Sequence, residues 1–169
     1  MRWLWVDQFT EFVSGRHAAG VKNISLAEEA VDEYCTGYPM LPPTLIIEGM
    51  AQLGGILVAE HFCWDKRVVL AKIGKAVFHD PPRAGDQLRY RVDLDSSGDG
   101  GATVTATSHW EGKLQAEVEL MFAFLEGDRY PEQSLFQPGD LESMMRIMRM
   151  FDVAVDGVGQ PLSIPFEKL

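Results

Sequence analysis

Hydrophobic residues recur with the 3.6-residue period of a helix between Thr44 and Trp64, so one long helix is predicted there. One face is bulky and apolar and consists of Ile46, Met50, Leu53 and Leu57. The opposite face is mostly small and consists of Glu48, Ala51, Gln52, Gly55 and Ala59. A solvated face would carry more Lys and Glu, so we expect a backbone or a ligand to pack closely there and the helix to be buried on both sides.

Polar and apolar residues alternate on both sides of this helix, which predicts strands. The predicted strands are a first one between Trp3 and Val13, its return at 18–26, and later ones near 68–73, 87–94, 104–110 and 114–124. Residues 28–43 contain acids, a glycine and prolines, which favours an irregular loop. This order of elements predicts an α+β fold in which an antiparallel sheet wraps the helix.

The alternation ends near Gly127, so the chain is divided into a domain at 1–126 and an extension at 127–169. Residues 130–138 are typical of a loop, and Asp140 is predicted to cap an amphipathic helix that runs to about Val153. This helix is rich in methionine, which fills irregular gaps between packed elements. We expect it to pack on the sheet or on a neighbouring subunit; the alternative is a lid over a ligand.

Composition excludes several classes of protein. The chain has 169 residues and a net charge of −10, so non-specific binding to nucleic acid is not expected. Its two cysteines, Cys35 and Cys63, cannot build a disulfide framework or a zinc site, and we expect no metal and no cofactor. The most apolar stretch, 45–62, contains ionisable residues that suit a membrane span poorly. No signal peptide is evident, so a cytoplasmic location is expected.

The start of the predicted helix carries a recognisable motif. The run from Gly37 to Gln52 reads GYPMLPPTLIIEGMAQ, and weaker support comes from segments 4–7, 22–25 and 82–88. Over roughly residues 1–125 the chain resembles the β-hydroxyacyl-(acyl-carrier-protein) dehydratases. The resemblance implies a hotdog fold, with a long central helix wrapped by an antiparallel sheet. It also implies a dimer with an acyl tunnel at the subunit interface, and dehydration of a 3-hydroxyacyl thioester to a trans-2-enoyl thioester.

The family's catalytic residues are only partly present. The family uses a histidine as base, a carboxylate on the helix for the leaving hydroxyl, and a backbone N–H at the helix start for the thioester oxygen. Glu48 matches the carboxylate, but Tyr34 stands in the place of the histidine and Pro43 in that of the glycine. A phenol is a poor base at neutral pH, and proline has no N–H to donate. We therefore assign Glu48 to catalysis, and Tyr34 and Pro43 to substrate binding. Gln52, which lies beside Glu48 on the predicted helix, is also assigned to substrate binding.

The resemblance suggests a carrier for the acyl group. Residues 66–91 contain seven Lys or Arg against two Asp, although the whole chain is acidic. A basic patch fits docking of an acidic acyl carrier protein, with coenzyme A as the other possible carrier. The alternative is that these residues only keep the outward faces of strands soluble.

Three functional hypotheses follow from these residues. The first is a homodimeric acyl-thioester-binding hotdog protein that acts as a dehydratase through Glu48. The second is a catalytically silent acyl-binding protein, or the partner subunit of a complete dehydratase, in which Glu48 has only a structural role. The third is an acyl-thioesterase on the same fold. The four histidines and Cys35 are expected to be structural or surface residues rather than catalysts.

Overall fold

The computed structural model of the chain describes residues 3–35, 37–125 and 138–162. Within them the strands are β1 Gln8–Val13, β2 His17–Asn23, β3 Arg67–Phe78, β4 Gln87–Gly98, β5 Gly101–Trp110, β6 Lys113–Leu125 and β7 Ala154–Val155. The helices are α1 Glu29–Glu33, α2 Pro43–His61 and α3 Pro138–Ile147, and Met150–Asp152 form a short 3-10 helix. The long helix and the strands that were predicted around it are therefore present.

The strands form one sheet in the order β3-β6-β5-β4-β2-β1-β7. Neighbours pair antiparallel from β3 to β1, and β7 pairs parallel with β1. The hairpin between β5 and β6 turns at Glu111 and Gly112, whose φ angles are 49° and 78°. Two positive φ angles in a two-residue turn match the right-handed twist of the flanking strands. The predicted antiparallel sheet around a central helix is confirmed.

The bulky face of α2 packs into the sheet. Its four predicted core residues are all completely buried: Ile46, Met50, Leu53 and Leu57. The opposite face is only half-buried at Glu48, Gln52 and Gly55, so burial on both sides does not hold within one chain. Close packing does occur beside this face, because a Cβ at Gly54 would lie 3.2 Å from the ring of Phe122 on β6.

Two segments near the N-terminus differ from expectation. Residues 3–7 precede β1 and are not part of a strand. The backbone of Trp3 and Trp5 bonds to the side chain of Gln52 on α2, and within this segment the N–H of Asp7 donates to the carbonyl of Val21 on β2. Residues 28–43 are not wholly irregular, since they contain the short helix α1. The buried side chain of Val31 attaches α1 to the core, and Glu28 accepts hydrogen bonds from Lys22 and from the backbone of Ser25. The contacts of Trp3 and Trp5 with α2 join positions far apart in the chain, so no periodicity in the sequence indicates them.

The C-terminal residues 138–162 cover the β1 side of the sheet. The backbone N–H of Phe9 donates to the carbonyl of Met148 at 2.8 Å, and Met145, Met148 and Met150 are buried. Helix α3 begins at Pro138 and ends at Ile147, so the predicted cap at Asp140 and the predicted end at Val153 are wrong. The left-handed backbone of Arg149 prevents the helix from continuing. The predicted loop at 130–138 lies almost entirely outside the described residues.

Candidate active site

Glu48 lies in the second turn of α2, and its carboxylate is held by a neighbour on the same helix. The side-chain amide of Gln52, four residues further on, donates from Nε2 to Glu48 Oε1 at 3.0 Å. Residues four apart lie above one another on a helix, so the sequence spacing already favours this pair. Both side chains are half-buried. Glu48 is thus neither in a solid interior nor on open surface.

The N-terminal segment, defined as residues 3–7, crosses α2 at this point. The backbone N–H of Trp5 donates to Gln52 Oε1 at 2.9 Å, and Gln52 Nε2 donates to the carbonyl of Trp3 at 2.8 Å. The segment is also fixed at its other end, where Asp7 Oδ2 accepts from the backbone N–H of Asn23 at 2.6 Å. Sequence reasoning missed this contribution to the site, because a strand was expected here.

Gly49 lets the N-terminal segment approach the helix. A Cβ at this position would lie 2.6 Å from the carbonyl oxygen of Trp5 and 2.7 Å from Cε2 of Tyr90. Tyr90 belongs to β4 and is almost completely buried, and its hydroxyl has no hydrogen-bond partner among the described residues. Burial raises the pKa of Tyr90, with the negative charges of Asp7 and Glu28 adding to the effect, so its hydroxyl stays protonated. Only glycine at 49 leaves room for both neighbours.

The other predicted site residues lie around the start of α2. Tyr34 follows α1 directly and is 55% exposed, and Cys35 beside it is exposed as well. Pro43 is the first residue of α2 and is half-buried. Among the described residues no hydrogen bond joins Tyr34 to Glu48. The structure therefore brings Glu48 and Gln52 together and leaves Tyr34 outside that contact.

The segment that leads into α2 is fastened to the connection between β3 and β4. Nη2 of Arg83 donates to the hydroxyl of Tyr38, and the guanidinium lies 4.1 Å from the centre of the Tyr38 ring. The backbone N–H of Leu41 donates to the carbonyl of Pro82 at 3.0 Å. One cation of the predicted basic stretch therefore packs on an aromatic side chain that precedes the helix.

A second polar cluster lies at the far end of α2, about 18 Å along the helix from Glu48. Glu60 accepts a hydrogen bond from the hydroxyl of Ser14 at 2.9 Å, and its other oxygen is buried without a partner among the described residues. Burial raises the pKa of Glu60, although the Ser14 bond and the neighbouring His61 partly offset this. His61 bonds to the hydroxyl of Ser97 at 3.0 Å, so this histidine is remote from Glu48.

Neither a metal site nor a membrane-spanning helix occurs among the described residues. No group of three or more His, Cys, Asp or Glu side chains in this part of the chain is arranged to hold a metal ion. No helix among the described residues is long and apolar enough to cross a membrane.

Comparison with known proteins matches the FabA-like domain to residues 2–119. The 3-hydroxyacyl-(acyl-carrier-protein) dehydratase FabZ of Pelotomaculum thermopropionicum is 37% identical over 122 residues, which cover 71% of this chain and 86% of the relative. Among solved structures, the dehydratase heterocomplex ApeI:P of Xenorhabdus doucetiae matches with a TM-score of 0.61 at 16% identity, covering 73% of this chain and 84% of that one. A hypothetical thioesterase of Streptococcus pneumoniae with coenzyme A matches with a TM-score of 0.57 at 8% identity, covering 69% and 86%. The two structural matches support the hotdog fold.

Proposed function

Because the chain belongs to the FabA-like domain family, we propose that it binds 3-hydroxyacyl thioesters and uses Glu48 as the acid of a dehydratase-like reaction. In this reaction a solvent water accepts the α-proton, the α,β double bond forms as the bond from the β-carbon to its hydroxyl breaks, and Glu48 protonates the departing oxygen, which leaves as water. The proton released to solvent then returns to the Glu48 carboxylate. The observation that carries the proposal is the half-buried Glu48 carboxylate that Gln52 holds. The motif from Gly37 to Gln52 supports the assignment of this carboxylate as the family's acid.

The thioester oxygen needs a donor as negative charge develops on it. Pro43 has no N–H, and the N–H groups of Leu45 and Ile46 already donate to the carbonyl of Pro42. We therefore assign this role to the backbone N–H of Thr44, one helical turn before Glu48, with Pro43 beside the bound thioester. Tyr34 would orient the substrate or donate a hydrogen bond, since a phenol is a poor base at neutral pH.

We further propose a homodimer that forms through β3. In the described part of the chain this strand is the last of the sheet, with β6 as its neighbour, and Leu70 and Ile73 are 39% and 42% exposed. Both residues pair with positions of β6 whose side chains are buried, so they lie on the helix side of the sheet. A second copy on this edge would cover them and the half-buried face of α2, which supports an acyl site between the subunits.

The same proposal extends to the carrier and to the domain boundaries. The cations between 66 and 91 support docking of an acyl carrier protein, with coenzyme A as the alternative carrier, and we expect a cytoplasmic location. Residues 1–126 would form the thioester-binding domain and 127–169 its extension. The pairing of β7 with β1 supports a role for the extension in covering that edge of the sheet.

A second candidate function is that of a silent acyl-binding protein or the partner subunit of a complete dehydratase. The replacements at Tyr34 and Pro43 favour it, because a partner with the family's histidine would supply the missing base. The similar Xenorhabdus structure is, by its name, a dehydratase heterocomplex. A thioesterase is the third candidate, with the similar Streptococcus pneumoniae protein as its motivation.

One set of assays separates these candidates. The purified protein is incubated with 3-hydroxybutyryl and crotonyl thioesters of coenzyme A and of acyl carrier protein, and hydration, dehydration and thiol release are followed. We expect dehydratase or hydratase turnover that Glu48→Gln abolishes and the exposed control Glu29→Gln leaves unchanged. No turnover of either substrate would contradict the catalytic proposal, and release of free thiol would indicate the thioesterase.

Two further experiments test the departures from the family. The double variant Tyr34→His with Pro43→Gly should increase dehydratase turnover, because it restores the base and a helix-start N–H. An unchanged rate would show that the assignment of these two positions is wrong. Purification from the native host should yield a homodimer, whereas a stoichiometric related chain would establish the partner-subunit function.

A further inference from the structure

The side-chain amide of Gln52 has an orientation that its neighbours define without ambiguity. The backbone N–H of Trp5 can only donate, so the atom it meets at 2.9 Å is the oxygen of Gln52. The carbonyl of Trp3 can only accept, so the atom it meets at 2.8 Å is the nitrogen. The N-terminal segment thus fixes which end of the amide faces Glu48.

Both hydrogens of the Gln52 amide are used by these contacts. One goes to the carbonyl of Trp3 and the other to Glu48 Oε1 at 3.0 Å. A primary amide has two N–H donors, so none remains for a bound substrate. Glu48 Oε1 is engaged as an acceptor, and Oε2 has no hydrogen-bond partner among the described residues.

We propose that Gln52 is a positioning residue that, held by the backbone of Trp3 and Trp5, reserves Glu48 Oε2 for the substrate's β-hydroxyl. A proton on Glu48 must then lie on Oε2, because Oε1 faces an N–H group. The N-terminal segment becomes part of the site, although it does not touch the substrate. Two contacts hold the N-terminal segment in place: the carbonyl of Trp5 packs over Gly49, and the backbone N–H of Asn23 donates to the Asp7 carboxylate. This inference rests on the proposed role of Glu48.

Binding of two coenzyme A thioesters that differ by one hydroxyl tests the inference without requiring turnover. The dissociation constants of 3-hydroxybutyryl-CoA and butyryl-CoA are measured by calorimetry for the natural protein and for Gln52→Met, which has a similar length and no amide. We expect the natural protein to prefer the hydroxyl compound by about tenfold, since one additional hydrogen bond to Glu48 contributes about this much. Gln52→Met should lose the preference and bind butyryl-CoA as before.

The matched control is Gln87→Met. The amide of Gln87 also donates to another side chain, the Oδ1 of Asn23 at 2.9 Å, but it lies on the surface at the start of β4. The tenfold preference should survive in this variant. If Gln52→Met weakened the binding of both ligands equally, or left the preference unchanged, the positioning role of Gln52 would be overturned. The proposed function of Glu48 would remain intact. Failure of the natural protein to bind either ligand would overturn the proposed function and this inference together.

A measurement on the natural protein covers the case in which Gln52→Met does not fold. The N–H of Trp5 donates to Gln52, so its hydrogen exchange reports on this contact. Exchange at Trp5 should be several-fold slower with 3-hydroxybutyryl-CoA bound than with butyryl-CoA, because only the first ligand engages Glu48 through its hydroxyl. Equal exchange in the two complexes would refute the coupling.

Discussion

Gly49 and Gly55 lie on the same helix, and replacing each by alanine should change the free energy of unfolding in opposite directions. Alanine in place of glycine in the interior of a helix adds about 1 kcal/mol of stability through backbone propensity. At Gly55 the one described atom within 4 Å of the new methyl group would be a ring carbon of Phe122 at 3.6 Å, an ordinary contact. Gly55→Ala should therefore stabilise the protein by about 1 kcal/mol.

Gly49→Ala adds the same propensity but creates two overlaps. The methyl group would lie 2.6 Å from the carbonyl oxygen of Trp5 and 2.7 Å from the Tyr90 ring. Neither neighbour moves freely, since Trp5 is held by Gln52 and Tyr90 is buried. Overpacking of this kind costs about 3 kcal/mol, at the upper end of the usual range. The net result is a loss of about 2 kcal/mol.

Urea unfolding followed by tryptophan fluorescence measures both variants, at one protein concentration because association contributes to apparent stability. The two variants should differ by about 3 kcal/mol, and the melting temperature of Gly49→Ala should fall by roughly 4–8 °C. Equal free energies of unfolding for Gly49→Ala and Gly55→Ala would refute the reasoning. They would mean that the N-terminal segment does not lie on the helix at this point, and the contacts of Gln52 would be lost with it.

Three other predictions follow from buried groups. Burial raises the pKa of Glu60, so the folded protein is favoured at low pH, where this carboxyl is neutral, and loses that stability as the pH rises through the raised pKa. Glu60→Gln keeps a neutral side chain at every pH. In urea titrations it should therefore stabilise the protein more at pH 8 than at pH 4. Tyr90→Phe removes a buried hydroxyl without a partner among the described residues, so it should leave the melting temperature unchanged or raise it. Met148→Ala should lower the free energy of unfolding by about 2–4 kcal/mol, because Met148 is buried. Ile147 next to it is half-exposed, so Ile147→Ala should lower the free energy of unfolding by less than about 1 kcal/mol. Equal losses in the two variants would contradict the packing of the extension on β1.

Local pattern was sufficient to predict most of the fold. The bulky face of α2 was predicted because a helix repeats every 3.6 residues, and all four of its residues are buried. The strands β4, β5 and β6 follow the alternation of period two, and the turn at Glu111 and Gly112 has the positive φ angles that this hairpin type requires. The pairing of Glu48 with Gln52 follows from their spacing of one helical turn.

The surroundings of Glu48 required the tertiary structure. The bonds from Gln52 to Trp3 and Trp5 join positions 49 and 47 residues apart, and the contact of Arg83 with Tyr38 spans 45. Hydrogen bonds of this kind depend on which segments the sheet brings against the helix, and no periodicity records them. The sequence alone thus determined the elements and the position of Glu48 on α2. Only the packed chain decided that the backbone of residues 3–5 holds the amide beside it, because a backbone N–H and carbonyl bond equally well whatever side chain they carry.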